Sequence, residues 1–447
     1  MMVYVLLIAF IILFVFAYLV QKNFIAPFSL FISSFLFAIG LIALNADNWD
    51  VNINDRFIIY VFTAILFFGL GCLLMELLFG EKKEFLYDRA LLQKKAIFLT
   101  EYYPALAVAI ISIICSIGFV AFMIKSVEFT TNVPVLLHRI YVSFTSGGST
   151  SIFSTQLKEI VVGVVKISVF EIMLERFFTH RNKIKFLHIV PIISFILCTI
   201  FSTDRNIFLR FILYIMCLWI LFSLDTEHVV IDAVNWKILK VICIFTMITA
   251  CAFFGLGQIK NYQGSIDRML SIYGGSGIYN FNLYLESFHG QELQYGKETF
   301  SETIKTLNAL ITGTNERKMP FDDAITFTSS TGYYYTSNIY SALWPYINDF
   351  GYAGVIIYPL LLGIIFELLF IQTKKHKYGF WWILYSMSMY SLVYTTILEQ
   401  FFKRWHLGMI YEIGWIVLLY YAIYVFRLTD TIHWIKAYRQ RRVQKAQ

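Results

Sequence analysis

Long apolar runs alternate with short polar connections along the whole chain, and only one long polar stretch interrupts them. Runs of about 18 residues or more are long enough to cross the hydrocarbon core of a bilayer as helices. The pattern predicts eleven spans: Val3–Val20, Phe24–Leu44, Phe57–Phe79, Ala105–Ile124, Ile160–Phe178, Phe186–Phe201, Ile207–Leu224, Val241–Leu256, Tyr352–Ile371, Phe380–Leu398 and Leu407–Phe426. The period-two alternation of a membrane barrel is absent, and helices satisfy all their own backbone groups in lipid. The expected fold class is all-α: a polytopic transmembrane helical bundle, with residues 1–447 forming one integral membrane domain. The first run lacks a basic leader and a small-residue cleavage site, so it reads as a retained span.

The polar interruption runs from Gln258 to Phe350 and makes residues 258–351 one dominant loop. Within it, Ser301–Leu310 has amphipathic helical spacing, with Ile304, Leu307 and Leu310 on one face. Thr312–Thr331 is rich in Gly, Thr, Asn and Asp and reads as irregular. A second polar region, Lys125–Glu159, contains Val135–Tyr141, which reads as a short interfacial helix, followed by a turn at Ser146–Ser149.

Composition agrees with a membrane protein. Of 447 residues, 58% are hydrophobic and 15% charged, against about 25% charged in a soluble domain. The net charge of +7 is an orientation signal rather than a sign of nucleic-acid binding, because basic residues collect on the cytoplasmic side. Placing Lys22 inside also places there the connections around Lys82–Lys95, Arg181–Lys185, Lys237–Lys240 and Lys374–Lys377, and the basic tail 427–447. The expected topology has the N-terminus outside, the C-terminus in the cytoplasm and the long loop on the extracytoplasmic face. All six cysteines fall within apolar runs, so neither a disulfide framework nor a CxxC metal pair is expected. No metal and no cofactor is called for.

Phosphate-binding loops, dinucleotide fingerprints, HExxH and GxSxG are all missing, which removes support for nucleotide-driven chemistry. What remains is charge at the outer surface. Arg205 follows Asp204 in a very short outer connection, and Arg210 lies deeper. A guanidinium fork suits phosphate oxygens, while pairing with Asp204 and snorkelling would account for the same two residues. Glu399, Lys403 and His406 fall at i, i+4 and i+7, so a helix there would place an acid/base group beside a cation. An interfacial anchor with Trp405 is the alternative. Arg139, Arg268 and Arg317 are loop arginines, and Asn338 and Asp349 precede a span where capping is the simplest role. Loop aromatics such as Tyr279, Tyr340 and Trp344 could stack on sugars or sit in the interfacial belt. Glu171 and Glu175 share a helix face but lie toward the cytoplasmic end of their span, and Glu76, Glu367 and Glu412 read as helix–helix polar contacts.

Certain stretches resemble a known family. Ile278-Tyr279-Asn280-Phe281-Asn282, the Gly296–Phe300 step, Asn338-Ile339-Tyr340, Asp349-Phe350-Gly351-Tyr352-Ala353-Gly354, and the Ser202–Arg205 turn are similar to bacterial oligosaccharide repeat-unit polymerases of the O-antigen and capsule type. The family's glycine is missing from the Ser202–Arg205 turn. The resemblance implies a GT-C-like membrane glycosyltransferase of the bacterial cytoplasmic membrane. It would act on an undecaprenyl-diphosphate-linked oligosaccharide in the lipid bilayer, alongside chain-length regulator and flippase proteins, without nucleic acid. It implies Asp349, Glu399 or His406 as general base, and Arg205, Arg210, Arg139 and Arg404 for the diphosphate. Tyr279, Asn338, Tyr340, Trp344 and Arg268 would serve the glycan. An O-antigen ligase and a lipid-linked oligosaccharide flippase are the competing expectations.

Overall fold

The computed structural model describes residues 2–21, 23–80, 102–145, 152–179, 186–202, 205–226, 266–287, 292–312, 325–328, 334–337, 339–404 and 407–422, with 240, 244 and 247. The predicted span Val241–Leu256 falls almost entirely outside them. The described helices are α1 (Met2–Gln21), α2 (Pro27–Leu44), α3 (Asp55–Phe79), α4 (Tyr102–Lys125), α5 (Val133–Thr145), α6 (Ile152–Thr179), α7 (Phe186–Ser202) and α8 (Arg205–Thr226). They continue with α9 (Ile266–Ser287), α10 (Ser301–Thr312), α11 (Leu343–Lys375), α12 (Phe380–Ser388), α13 (Tyr390–Val393) and α14 (Leu407–Tyr420). Six helices, α1, α2, α3, α4, α8 and α11, are long and apolar enough to cross a membrane, so the chain is a multi-pass membrane protein by length and composition. Three shorter apolar helices lie in α5, α7 and α14.

One expectation is overturned in the loop. Strands β1 (Ile325–Thr328) and β2 (Tyr334–Ser337) pair antiparallel, with Ile325 opposite Ser337 and Thr328 opposite Tyr334. Thr312–Thr331 is therefore not wholly irregular, and the architecture is helical with one small hairpin.

The chain divides into two compact units. Unit 1 comprises residues 1–84, 212–220 and 228–406, and unit 2 comprises 85–211, 221–227 and 407–447. In unit 1 the main helix pair is α3 with α11. Glycines let their backbones touch: a Cβ on Gly71 would meet the Leu360 carbonyl, and one on Gly363 the Phe68 carbonyl. Small residues at such crossings replace hydrophobic drive with close van der Waals packing in lipid. The Cys72 thiol donates to the Gly363 carbonyl across the same contact at 3.6 Å. α2 packs against α1 and α9, and Phe31 stacks on Phe68 with centroids 4.0 Å apart. In unit 2, α6 packs against α4, α7 and α14, and α4 against α7.

Helix α11 is interrupted at Gly351, whose φ of +60° and ψ of −145° lie outside helical space. Glycine tolerates this conformation because it lacks a Cβ. The break gives a short helix over 343–350 and a long one over 352–375, the latter spanning about 36 Å at 1.5 Å per residue. A long apolar helix begins at Tyr352, where the sequence pattern starts a span, but a short helix rather than a loop precedes it.

Candidate functional site

Three segments of unit 1 meet around buried charge: the Tyr295–Phe300 turn, the 343–350 half of α11, and the connection after α13. Tyr295 and Gly296 take positive φ values of 49° and 91°, which turns the chain tightly enough to aim successive N–H groups inward. The Asp349 carboxylate, fully buried, accepts the Glu298 N–H at 3.1 Å on Oδ1 and the Thr299 N–H at 2.6 Å on Oδ2. The Tyr295 N–H donates to the Asp349 carbonyl and the Gln294 N–H to the Asn348 carbonyl, each at 3.1 Å. These bonds use carbonyls released by the helix break.

Glu399 repeats the device. Its Oε1 accepts the N–H groups of Phe401 and Phe402, and its Oε2 that of Lys403, all within 2.9 Å. The Tyr346 hydroxyl donates to the same carboxylate at 3.4 Å. Residues 398–400 are not helical, and 402–404 form a single 3-10 turn. The helical face expected for Glu399, Lys403 and His406 is thus absent across Glu399–Lys403. The carboxylate and the cation still come together, because Glu399 folds the chain back around itself. Burial pushes the Glu399 carboxyl up, opposed by these N–H donors and by the Lys403 charge.

Two groups here have no such backbone cradle. Glu298, 8% exposed, keeps a buried Oε2 that accepts no hydrogen bond. Burial pushes its carboxyl up, Lys403 pulls it down and Asp349 pushes it up again. Burial pushes the Lys403 ammonium down, while Glu298, Glu399 and Asp349 hold it up. The Lys403 Nζ lies 5.8 Å from the Trp344 ring centroid, within cation–π range. Aromatic rings wall this group: Phe300 lies edge-on to Phe402 at 5.6 Å, and Tyr346 stacks on Tyr358 at 4.8 Å. Burial thus shifts the carboxyl and the ammonium toward each other, as at sites that move protons.

The sequence-derived candidates divide. Asp349, Glu399, Tyr340 and Trp344 converge in unit 1. Tyr279 lies in the same unit but is a packing residue, stacked on Trp49 at 5.8 Å, its hydroxyl donating to the Trp49 carbonyl at 3.3 Å. Tyr340 and Trp344 are also buried, with centroids 5.6 Å apart, so neither presents an open stacking face. Arg139 pairs with Glu128 at 3.2 Å on the surface of unit 2, and the Arg210 Nε–H donates to the Asn206 carbonyl at 3.1 Å. Arg205 opens α8, Arg268 sits in the first turn of α9 and Arg404 ends the 3-10 turn, but their side chains lie outside the described residues, as do Asn338 and His406. Glu298 was legible only as part of the Gly296–Phe300 step, and nothing in its spacing distinguished it from a solvated glutamate. Among the described residues no group of three or more His, Cys, Asp or Glu has a metal-holding arrangement.

Comparisons with protein-family models, curated proteins and solved structures find no match.

Proposed function

We propose that the chain is a membrane glycosyltransferase of the bacterial cytoplasmic membrane that polymerises undecaprenyl-diphosphate-linked oligosaccharide repeat units on the outer face. The observation that carries this reading is the gathering of buried Glu298, half-buried Lys403, Asp349 and Glu399 among aromatic rings, with Lys403 and Glu298 acting on each other electrostatically. The placing of the loops before α3 and around α9 on one common face gains support from which segments meet within unit 1. Asn282 accepts the Asn54 N–H at 2.9 Å and donates to the Asn52 carbonyl at 2.8 Å, so two stretches assigned to the outer face are joined there.

In the proposed reaction a hydroxyl of the incoming unit attacks the anomeric carbon of the growing glycan. The carbon–oxygen bond to the lipid diphosphate breaks, and the diphosphate leaves with the electron pair. The hydroxyl proton passes to the Glu298 carboxylate, whose affinity for protons burial raises above that of an ordinary glutamate. Asp349 and Glu399 are positioning residues: both their carboxylates are occupied by backbone N–H groups and hold the loops that carry Glu298 and Lys403. Lys403 supplies positive charge, and Arg205 remains the first candidate for the diphosphate.

Reconstitution with a lipid-diphosphate repeat unit tests the reading. The expected product is a ladder of longer glycans, reduced about 10²–10⁴-fold by Glu298→Gln and abolished by Arg205→Ala, with membrane insertion unchanged. Movement of intact lipid across the bilayer without a ladder overturns the reading in favour of a flippase. Transfer of finished glycan to a different acceptor points instead to a ligase. A normal ladder in Glu298→Gln removes Glu298 as the base.

A further inference from the structure

Helix α10 is turned the wrong way round for a protein surrounded by water. Ile304, Leu307 and Ile311 recur at i, i+3 and i+7, so they share one face. An amphipathic surface helix buries such a stripe against the core. Here the three side chains are 39%, 52% and 81% exposed, whereas the polar residues Glu302, Thr303, Lys305 and Thr306 are half-buried. The polar side is the one turned toward the protein. α10 packs against the 3-10 turn 402–404, and Lys305 pairs with Glu302 at 2.7 Å. Lys305 acts electrostatically on Glu298, and Glu302 on Lys403.

The place of α10 in the fold says what covers its apolar face. The Glu298 and Thr299 N–H groups donate to Asp349, which ties the start of α10 to the chain just ahead of the Gly351 break. The long apolar helix that begins at Tyr352 is long enough to cross a hydrocarbon core of about 30 Å. A crossing by this helix puts its first turn, and with it the start of α10, at the boundary between headgroups and acyl chains. The side chains exposed beside the break suit that depth. Tyr295 is 77% and Tyr352 46% exposed, and exposed Leu293 lies 3.6 Å from where a Cβ on Gly351 would be. Tyrosines gather at the membrane interface, where the ring meets lipid and the hydroxyl meets water. The apolar face of α10 thus continues a surface already suited to lipid. Glu302 and Lys305 are the only charged residues of α10 and cancel, so apolar burial rather than attraction to an anionic headgroup would hold it there.

We propose that α10 lies in the membrane interface, with Ile304, Leu307 and Ile311 against the acyl chains of the bilayer and its polar face toward Glu298 and Lys403. The helix then separates the buried charges of unit 1 from lipid. This goes beyond glycosyl transfer and stands without it. In the test, the full chain sits in nanodiscs of phosphatidylcholine alone and carries a nitroxide at Leu307→Cys or Ile311→Cys, with the signal of the unsubstituted chain subtracted. Both positions are exposed, so the label displaces no packed side chain. Collision with dissolved oxygen, which concentrates in lipid, is compared with collision with a water-soluble nickel chelate. The expected result at both positions is access to oxygen with loss of access to nickel, unchanged in high salt because no charge holds the face to the lipid. Nickel access at either position overturns the proposal, since the face is then in water. Loss of access to both reagents overturns it too, because another segment of the chain or a second copy then covers the face. So does nickel access that returns in high salt, which would make the attraction one of charge.

Discussion

The two units solve the same problem, a buried carboxylate, in opposite ways. In unit 1 Asp349 and Glu399 are met by backbone N–H groups at 2.6–3.1 Å. In unit 2 Glu412, Glu171 and Glu175 are met by the side chains of Lys166 and His188. Position along the chain decides which. Mid-helix N–H groups are already bonded to carbonyls four residues back, so a carboxylate inside α6 or α14 has only side chains to turn to. Where helices end and chains turn, N–H groups are unclaimed. Backbone partners hold a fixed geometry and cannot titrate, whereas side-chain partners can exchange protons. Unit 1 thus holds its carboxylates with backbone donors, while unit 2 holds its own with ionisable side chains.

Substitutions can break this contrast. Lys166→Met leaves Glu412 buried without its cation and is expected to destabilise by about 3–5 kcal/mol. Adding Glu412→Leu should restore most of that loss, since an apolar pair of similar volume often equals a buried ion pair. Thermal unfolding of the single and double variants measures both. Glu399→Ala should cost about 3 kcal/mol by leaving the Phe401, Phe402 and Lys403 N–H groups unmet, and no second side-chain change should rescue it, because the partners are backbone. A rescuing second-site substitution there would erase the distinction between the units. Tyr279→Phe removes one hydroxyl bond to a carbonyl and should cost about 1 kcal/mol, measurable in the same unfolding series. Lys403→Gln should show mainly in the pH profile. Lys403 favours the Glu298 carboxylate, so without it Glu298 holds its proton to higher pH. The acid limb of the rate profile should then move upward in pH, and an unmoved limb would separate the two groups.

Much of the fold was legible from hydrophobic pattern. The amphipathic stretch Ser301–Leu310 is helix Ser301–Thr312, and Val135–Tyr141 lies within Val133–Thr145. The helix that covers the stretch expected to span from Ile160 begins instead at Ile152 and runs through Lys158 and Glu159. Charge suggested a boundary there, but burial against neighbouring helices permits it inside. The hairpin was hidden because its Thr- and Tyr-rich strands are four residues each, too short for a period to stand out among turn formers. In the site, Glu399 was a candidate through its spacing from Lys403 and His406, and Asp349 through the family resemblance. The role of Asp349 as an acceptor depends on Glu298 and Thr299, some 50 positions away, which no local pattern encodes, whereas the donors to Glu399 lie two to four residues beyond it. Glu298 was missed for the same reason, since its burial is conferred by distant segments.

The clip between Asn282 and residues 52–54 bears on how the chain assembles. It joins positions 228 and 230 apart in sequence, and Asn54 also caps α3 through the Arg56 N–H. During synthesis the connection between α2 and α3 emerges long before its partner on α9 exists. α2 and α3 must therefore wait in the membrane with that connection unclosed until more than half the chain has been made. Chains halted before α9 would then carry intact early helices and an unclosed connection between α2 and α3, giving quality-control factors a defined feature by which to tell an unfinished molecule from a finished one.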